Sequence, residues 1–97
     1  MGDVVKFPAS EASSDLLWRE SVGETLREER LDRGERIADV ASRAGVAPQY
    51  LSEIERGRKD PSSEIFSAVA GALDLTVGEV ARRAASNVDR GSLCLAA

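Results

Sequence analysis

Residues 37–57, IADVASRAGVAPQYLSEIERG, contain the pattern from which the fold of this protein is predicted. On both sides of Gly45, apolar residues recur at three- and four-residue spacings, which is typical of short amphipathic helices. Gly45 begins a turn that needs a positive φ, a conformation that glycine adopts at little cost. Pro48 suits the first turn of the second helix, because its missing N–H would have no partner there. The stretch therefore predicts a helix over about 37–44, a tight turn, and a second helix that ends at Gly57.

Three further helices are predicted around this pair. The first covers about 15–33, either as one helix or as a short helix followed by another from Val22. The fourth covers about 63–73, and a capping box beginning at Thr76 precedes a fifth over about 77–86. No stretch alternates apolar and polar residues with period two, so no strand is expected. The predicted fold class is all-α, with five helices around one small core.

Polar segments are expected to flank the helical domain, which covers residues 15–86. Residues 1–14 are predicted to form a flexible N-terminal arm, and residues 87–97 a flexible C-terminal tail, because both are short and mainly polar. Within the helical domain, Trp18 is expected in the core, since it lies at helical spacing from Val22.

The composition excludes most enzymatic and metal chemistry. The chain has 97 residues, no histidine and one cysteine, Cys94, so it can form neither a Ser-His-Asp triad nor a Cys-His pair. A zinc site and a disulfide within the chain are excluded for the same reason. We therefore expect no enzyme activity, no cofactor and no metal. Since there is neither a secretory signal nor an apolar run of about 20 residues, we expect a cytoplasmic protein without membrane contact.

The charge is acidic overall but basic near the predicted turn. The net charge of −4 argues against a protein that coats nucleic acid nonspecifically. Between residues 43 and 59, however, four basic side chains stand against two acidic ones. A sequence-specific reader needs positive charge only where it touches phosphate, so the local balance is compatible with DNA binding.

The two helices and their turn have the form of a helix-turn-helix, and their residues resemble a known family. The resemblance is to the xenobiotic-response-element-type, or lambda repressor-like, helix-turn-helix regulators, and it covers about residues 22–80. It rests on Val40-Ala41, Ala44-Gly45-Val46, YLSEIERG at 50–57 and Asp60-Pro61-Ser62. The resemblance implies a DNA-binding domain whose second motif helix, the recognition helix, enters the major groove.

A closer resemblance is to the actinobacterial Clp gene regulators, which activate the genes of Clp proteases and chaperones. It rests on LWRE at 17–20, VGE at 22–24, LR at 26–27, ADVA at 38–41 and YLSEIERGRK at 50–59. This resemblance implies an activator of Clp protease and chaperone genes.

The family resemblance also assigns roles to individual residues. Base contacts are expected from residues of the recognition helix: Pro48, Gln49, Tyr50, Ser52 and Glu53. Phosphate contacts are expected from basic and hydroxyl side chains around it: Arg36, Arg43, Arg58, Lys59, Ser62 and Ser63. The chemistry agrees with the first set, because a glutamine amide pairs with adenine and a glutamate accepts from cytosine. Arg30 and Glu55 match a pair that forms a buried salt bridge in the family, so both are expected to be structural.

Two positions depart from the family's pattern. The family caps the first motif helix with Ser or Thr, often followed by Gln, whereas this chain has Arg36 and Ile37. Because Ile37 cannot bind phosphate, Arg36 or Arg43 is expected to replace that contact by charge. Ala47 stands where a serine normally caps the recognition helix, which removes about 1 kcal/mol of capping free energy.

An apolar stripe on the fifth helix allows two interpretations. Its members, spaced as one helix face, are Val77, Val80, Ala81 and Ala84. The stripe either packs inside the domain or forms a two-fold dimer contact. We favour the dimer, because a single domain of this size makes few phosphate contacts, and a dimer would place two recognition helices about 34 Å apart on a palindrome.

The C-terminus carries a candidate degradation signal. Leu95, Ala96 and Ala97 resemble the end of the bacterial transfer-messenger-RNA tag that Clp-type proteases recognise. In a regulator of Clp genes, such a signal would close a feedback loop, since the protease would destroy its own activator. The neighbouring Cys94 is interpreted as incidental rather than as a redox switch, because few charges in the nearby sequence would lower its pKa.

The sequence thus predicts a homodimeric transcription regulator of double-stranded DNA, with two alternatives. One is an antitoxin or phage-type repressor of the same fold, against which the short N-terminal arm argues. The other is an interaction module without DNA contact, which the acidic composition favours and Gln49 and Lys59 oppose. An activator also needs a surface for RNA polymerase, and Glu24, Glu28 and Asp32 of the first helix are one candidate.

Overall fold

The computed structural model describes the backbone of residues 6–96 and the side chains of residues 17–88. Five helices follow one another along the chain: α1 (Lys6–Asp32), α2 (Ile37–Ala44), α3 (Pro48–Glu55), α4 (Ser63–Ala72) and α5 (Val77–Ala96). Between residues 6 and 96 there is no strand. The predicted all-α class with five helices is therefore confirmed.

The turn between α2 and α3 has the predicted backbone. Gly45 has φ 76° and ψ 28°, and its N–H donates to the carbonyls of Ala41 and Ser42, which ends α2. α3 begins at Pro48, and Gly57 follows its last turn with φ 76°. Because both glycines lie in the left-handed region, a side chain at either position would strain the backbone.

Side-chain caps begin α4 and α5. Ser62 Oγ accepts a hydrogen bond from the backbone N–H of Ile65 at 3.3 Å. Thr76 Oγ1 accepts from the N–H of Glu79 at 3.0 Å, and Glu79 Oε1 accepts from the N–H of Thr76 at 2.9 Å. The predicted capping box is thus present, and it satisfies two donors that the helix itself leaves unbonded.

α1 is longer than the sequence predicted and has no break. It begins at Lys6 rather than near residue 15, and Pro8 lies in its first turn, where proline is tolerated. The interpretation as two helices is wrong, because Ser21 lies inside α1 and its carbonyl accepts from Thr25 Oγ1 at 2.8 Å. Residues 6–14 of the predicted arm are therefore helical, and the flexibility of the arm stays a prediction.

α5 continues past the predicted end at Ser86. The first residue of the predicted tail, Asn87, donates from Nδ2 to Thr25 Oγ1 at 3.0 Å, which holds α5 against α1 beyond that point. The helix ends at Ala96. The candidate degradation signal and Cys94 lie outside the residues whose side chains the structure describes. Over its described part, the chain has no helix that is long and apolar enough to cross a membrane.

The core lies where the five helices meet. α1 packs against α3 and α5, and α4 packs against α2 and α5. The buried apolar residues come from every helix: Val22, Leu26, Val40, Ala41, Leu51, Ile54, Val69, Ala70, Leu73, Val80 and Ala84. Each fully buried Val, Leu or Ile contributes about 1.5–3 kcal/mol relative to an exposed one.

Two core predictions need correction. Trp18 is 38% exposed, because it precedes Ser21 and Val22, where the burial of α1 begins, and it lies at the edge of the domain beside Pro61 and Phe66. The apolar stripe of α5 is divided by the fold: Val80 and Ala84 are fully buried inside the domain, whereas Val77 is 39% exposed and Ala81 is half-buried. Val80 and Ala84 of the stripe therefore pack inside the domain.

Candidate nucleic-acid interface

The outer face of α3 carries residues predicted to contact bases. Leu51 and Ile54 are buried on the inner side of the helix, and this orientation turns Gln49 outward. Gln49 and Pro48 are exposed, while Glu53, one turn further along, is half-buried. A major groove about 12 Å wide admits such a helix, so an exposed amide in its first turn is well placed for a base edge.

Tyr50 and Ser52 are less accessible than a purely base-facing role requires. Tyr50 is half-buried and packs against the core cluster, so its ring also holds α3 on the domain. Ser52 is half-buried and lines an open cleft of about 600 Å³ between α3 and α1. Of the five predicted base-contacting residues, the structure thus leaves Pro48 and Gln49 the most exposed.

Arg56 belongs to the same outer face and was missed by the sequence analysis. It follows Gln49 by seven residues, is exposed, and lies at the C-terminal end of α3. Arg56 borders the cleft that Ser52 lines, whose other wall includes Glu20 and Glu24 of α1. The spacing from Gln49 was the available signal, because residues two turns apart share one face of a helix.

The loop between α3 and α4 presents a group of candidate phosphate ligands. Arg58 and Lys59 are exposed, as are Ser62 and Ser63 at the start of α4. The cap of α4 uses Ser62 Oγ only as an acceptor, so its O–H remains available to donate. All four lie between the end of α3 and the first residue of α4, close in sequence to Arg56.

The starts of α2 and α3 lack side-chain caps, as the two departures from the family's pattern indicated. Neither Arg36 nor Ala47 makes a cap hydrogen bond. The Arg36 side chain is 86% exposed and lies 3.6 Å from Asp39, an exposed ion pair worth about 0–1 kcal/mol. Arg36 is therefore accessible to a phosphate.

Arg43 has a structural role that the sequence did not indicate. Its Nη2 donates to the carbonyl of Ala72 at 3.0 Å and its Nε to the same oxygen at 3.2 Å. Nη2 also donates to the Glu35 carboxylate. The guanidinium thus caps the C-terminal end of α4, where carbonyl oxygens lack intrahelical partners. We remove Arg43 from the candidate phosphate ligands.

The predicted ion pair between Arg30 and Glu55 is present and buried. Arg30 Nε donates to Glu55 Oε2 at 2.8 Å and Nη2 to Oε1 at 3.0 Å, and the side chains are 11% and 4% exposed. Nη1 of Arg30 also donates to the carbonyl of Glu35 at 3.0 Å. The hydrogen bonds to Glu55 raise the pKa of Arg30 above its usual value. This bidentate contact ties the last turn of α3 to α1.

At the same junction the backbones of α1 and α3 approach each other closely, a contact that the sequence analysis did not predict. A Cβ added to Gly23 would lie 2.3 Å from the carbonyl oxygen of Ile54 and 2.6 Å from that of Glu55. A Cβ on Gly57 would meet Glu20 Cα at 2.9 Å. Only glycine therefore lets α1 cross the end of α3 at this distance.

The family match covers the helices just described. Residues 26–80 match the model of the helix-turn-helix family. The chain belongs to this family. The matched range begins within α1, ends in the first turn of α5, and includes the whole motif and the Arg30–Glu55 pair.

Relatives and solved structures place the chain near the Clp regulators. The transcriptional regulator ClgR of Mycobacterium tuberculosis is 50% identical over 64 residues, which are 66% of this chain and 57% of that protein. This chain thus spans little more than half the length of that relative. The crystal structure of the clp gene regulator ClgR from Corynebacterium glutamicum matches with a TM-score of 0.76 at 39% identity, covering 78% of this chain and 81% of the other. The resemblance to this branch is confirmed.

A regulator of a different system has a similar fold. The restriction-modification controller protein C.AhdI from Aeromonas hydrophila matches with a TM-score of 0.62 at 30% identity, covering 69% of this chain and 97% of the other. The domain architecture is therefore shared beyond the Clp regulators.

Proposed function

We propose that this chain is a sequence-specific DNA-binding transcription regulator that inserts α3 into the major groove. The observation that carries the proposal is the outer face of α3, where Gln49 and Arg56 are exposed while Leu51 and Ile54 are buried. The buried pair of Arg30 and Glu55 holds this helix in one orientation. A fixed orientation favours base recognition, because contacts to base edges demand defined geometry.

The individual contacts follow from the chemistry of the exposed groups. The amide of Gln49 is suited to adenine N6 and N7, and the Glu53 carboxylate to cytosine N4. Pro48, Tyr50 and Ser52 complete the base-facing set. Phosphate contacts are assigned to five exposed residues around α3: Arg36, Arg58, Lys59, Ser62 and Ser63.

The regulated genes are inferred from the relatives. Two of the similar proteins are named as ClgR, one of them as a clp gene regulator. We propose that this chain likewise activates Clp protease and chaperone genes in the cytoplasm, acting on RNA polymerase. The C-terminal Leu95, Ala96 and Ala97 are proposed as a signal through which a Clp protease removes the activator.

A homodimer is part of this proposal, through a strip of α5 that keeps Val77 and Ala81 of the predicted stripe but not the buried Val80 and Ala84. Val77 and Ala85 are exposed, and Ala81 and Val88 are half-buried, on the side of α5 next to the buried Ala84. These positions recur at three- and four-residue spacings, as in a helix–helix seam. A two-fold contact along this strip would present two copies of α3 to successive major grooves, about 34 Å apart.

The test is a fluorescence-anisotropy titration against a pool of palindromic duplexes at several salt concentrations. Gln49→Ala is expected to cost about 1–3 kcal/mol and to relax one base position. Lys59→Ala is expected to weaken all duplexes alike and to lower the salt slope by about one unit. Arg43→Ala removes a charge that the structure commits to α4, so the salt slope should not change.

Each outcome bears on the proposal. If no duplex is bound above background at low salt, the DNA-binding function is wrong. If Gln49→Ala weakens every duplex equally, Gln49 is not a base reader. If Arg43→Ala lowers the salt slope as much as Lys59→Ala does, the removal of Arg43 from the phosphate ligands is wrong.

A further inference from the structure

The α3–α4 loop, residues 56–62, is weakly held where it carries proposed phosphate ligands. Its first part is bonded to α3, since the N–H of Arg58 donates to the Glu53 carbonyl at 2.9 Å, and its last residue, Ser62, caps α4. The three residues between them make no hydrogen bond or ion pair within the described part of the chain. The position of Lys59 therefore depends on how this middle part of the loop packs against the rest of the domain.

A small cavity lies between the middle of the loop and α1. Its volume of about 30 Å³ is sufficient for one water molecule. The side chains that line it come from α1, the loop and α4: Trp18, Arg19, Val22, Asp60, Pro61 and Phe66. Most of this lining is apolar, and its two charged members, Arg19 and Asp60, come from the two elements that the cavity separates.

Arg19 leaves a buried donor unsatisfied at this cavity. Its Nε is the one buried side-chain nitrogen or oxygen between residues 17 and 88 that has no hydrogen-bond partner. Such donors are rare in folded proteins, because burial removes the hydrogen bonds that the group would make to water. A guanidinium only donates and an ionised carboxylate only accepts, so Arg19 and Asp60 are complementary across the cavity.

The side chains of Arg19 and Asp60 do not bond to each other directly. Neither forms an ion pair or a side-chain hydrogen bond with any residue of the described part. One water between them would accept from the guanidinium and donate to the carboxylate. A bridging water of this kind is nearly as favourable as a direct hydrogen bond.

The orientation of Asp60 matters for DNA binding, because it is the one acid in the segment from Arg58 to Ser63. A carboxylate directed out of this segment would repel phosphate, whereas one directed toward Arg19 leaves the basic side chains to face it. Arg19 itself is less suited to bind phosphate, since its side chain is half-buried and its Nε is fully buried, while Arg58 and Lys59 are exposed.

We propose that Arg19 is a positioning residue for the α3–α4 loop, and that its guanidinium holds the Asp60 carboxylate through one water molecule in the cavity. This tie keeps the loop on α1, with Lys59 and Ser62 directed at the DNA backbone. The consequence for DNA rests on the proposed function, whereas the tie itself can be tested without DNA.

The first test is limited trypsin digestion in the absence of DNA, because a loop is cut faster when it is less firmly held. Mass spectrometry follows cleavage after Arg58 and Lys59, at a temperature where thermal unfolding shows every variant to be folded. Arg19→Met keeps the apolar stem and removes every donor, so it should raise the cleavage rate about fivefold.

Arg27→Met is the matched control. Arg27 is exposed on the same helix, forms no ion pair with a described residue and does not line the cavity. Its replacement removes the same charge, but cleavage of the loop should stay within about twofold of wild type.

The second test measures affinity for the duplex that the wild-type chain binds most tightly. Arg19→Met should weaken binding about fivefold in the wild-type background, but less than about twofold in the Asp60→Ala background, where the carboxylate that it holds is gone. Arg27→Met should change the affinity by the same factor in both backgrounds.

Three results would overturn the inference while leaving DNA binding intact. The first is a loop that is cut no faster in Arg19→Met than in wild type. The second is a loss of affinity for Arg19→Met that is equally large in the Asp60→Ala background, which would mean that Arg19 acts on DNA independently of Asp60. The third is an equal coupling of Arg27→Met to Asp60→Ala, which would indicate a general effect of charge. If the wild-type chain binds no duplex at all, the proposed function is wrong, and the digestion alone decides whether Arg19 holds the loop.

Discussion

α1 meets α3 and α5 in different ways, and the contrast shows which of the two junctions tolerates the least change. At the α1–α3 junction, Gly23 brings two backbones into contact and Arg30 bonds twice to the buried Glu55. At the α1–α5 junction, apolar packing is supplemented by partly exposed polar contacts, such as that between Glu29 and Arg83 at 2.9 Å. Close backbones and buried charges tolerate little change, whereas exposed ion pairs contribute about 0–1 kcal/mol. The proposed DNA-binding helix therefore has the stricter support.

The largest expected effect comes from breaking the buried ion pair. Glu55→Ala leaves the Arg30 guanidinium buried without its carboxylate, so the free energy of unfolding should fall by about 3–5 kcal/mol in urea titrations. Arg30→Met combined with Glu55→Leu removes both charges and should recover most of that loss. A loss below about 1 kcal/mol for Glu55→Ala would show that the α1–α3 junction does not depend on the pair.

The next largest loss of stability is expected from the backbone contact at the same junction. Gly23→Ala places a methyl group 2.3 Å from the Ile54 carbonyl oxygen, so α1 and α3 must separate, at a cost of about 1–3 kcal/mol. Gly71→Ala is the matched control, because nothing lies within 4 Å of a Cβ there. Its better helix propensity should stabilise α4 by up to about 1 kcal/mol. Thermal unfolding of the two variants should therefore shift in opposite directions, and a shared upward shift would contradict the close approach.

The smallest effect belongs to the α1–α5 junction and depends on pH. The hydrogen bond from Arg83, aided by Arg33, lowers the pKa of Glu29 below its usual value of 4.5. The stabilisation by Glu29 is therefore present above pH 4.5 and is lost as the pH falls through the lower folded-state pKa. Glu29→Gln should cost about 0.3–1 kcal/mol at pH 7 and reduce the acid-side slope of the unfolding free energy.

A neighbouring glutamate provides the control for the loss of stability at pH 7. Glu28→Gln alters an exposed carboxylate on the same helix that forms no ion pair among residues 17–88, so it should lower the free energy of unfolding less than Glu29→Gln does. Equal slopes for wild type and Glu29→Gln between pH 2 and 5 would show that the contact with Arg83 contributes nothing to stability.

Features controlled by a few neighbouring residues could be predicted from the sequence. The bounds of α2 follow from its apolar period and from Gly45, and the start of α3 follows from Pro48. The capping box at Thr76 needs only the residue three positions later. The Arg30–Glu55 pair crosses 25 positions of sequence, and it was anticipated only because the chain resembles a known family.

Other features could not be predicted, because they depend on which helix lies opposite. Arg43 was expected to bind phosphate, but its position opposite the end of α4 gives its guanidinium the Ala72 carbonyl instead. Helical spacing placed Trp18 with the core, but Trp18 lies at the edge of the domain, where its side chain is 38% exposed. Nothing in the local sequence distinguishes Gly23 from another helical glycine, because the end of α3 that lies against it is distant in the chain.

The sequence by itself determined the number of helices, the bounds of the two motif helices, the capping box of α5, the tight turn and the set of polar residues that could form an interface. Local backbone preferences and the helical period are sufficient for these, since both act over a few residues. Only the tertiary structure decided that Gln49 and Arg56 share an open face while Arg43 is committed to α4. That choice depends on the relative placement of helices that are distant in the chain, which is set by packing of the whole core.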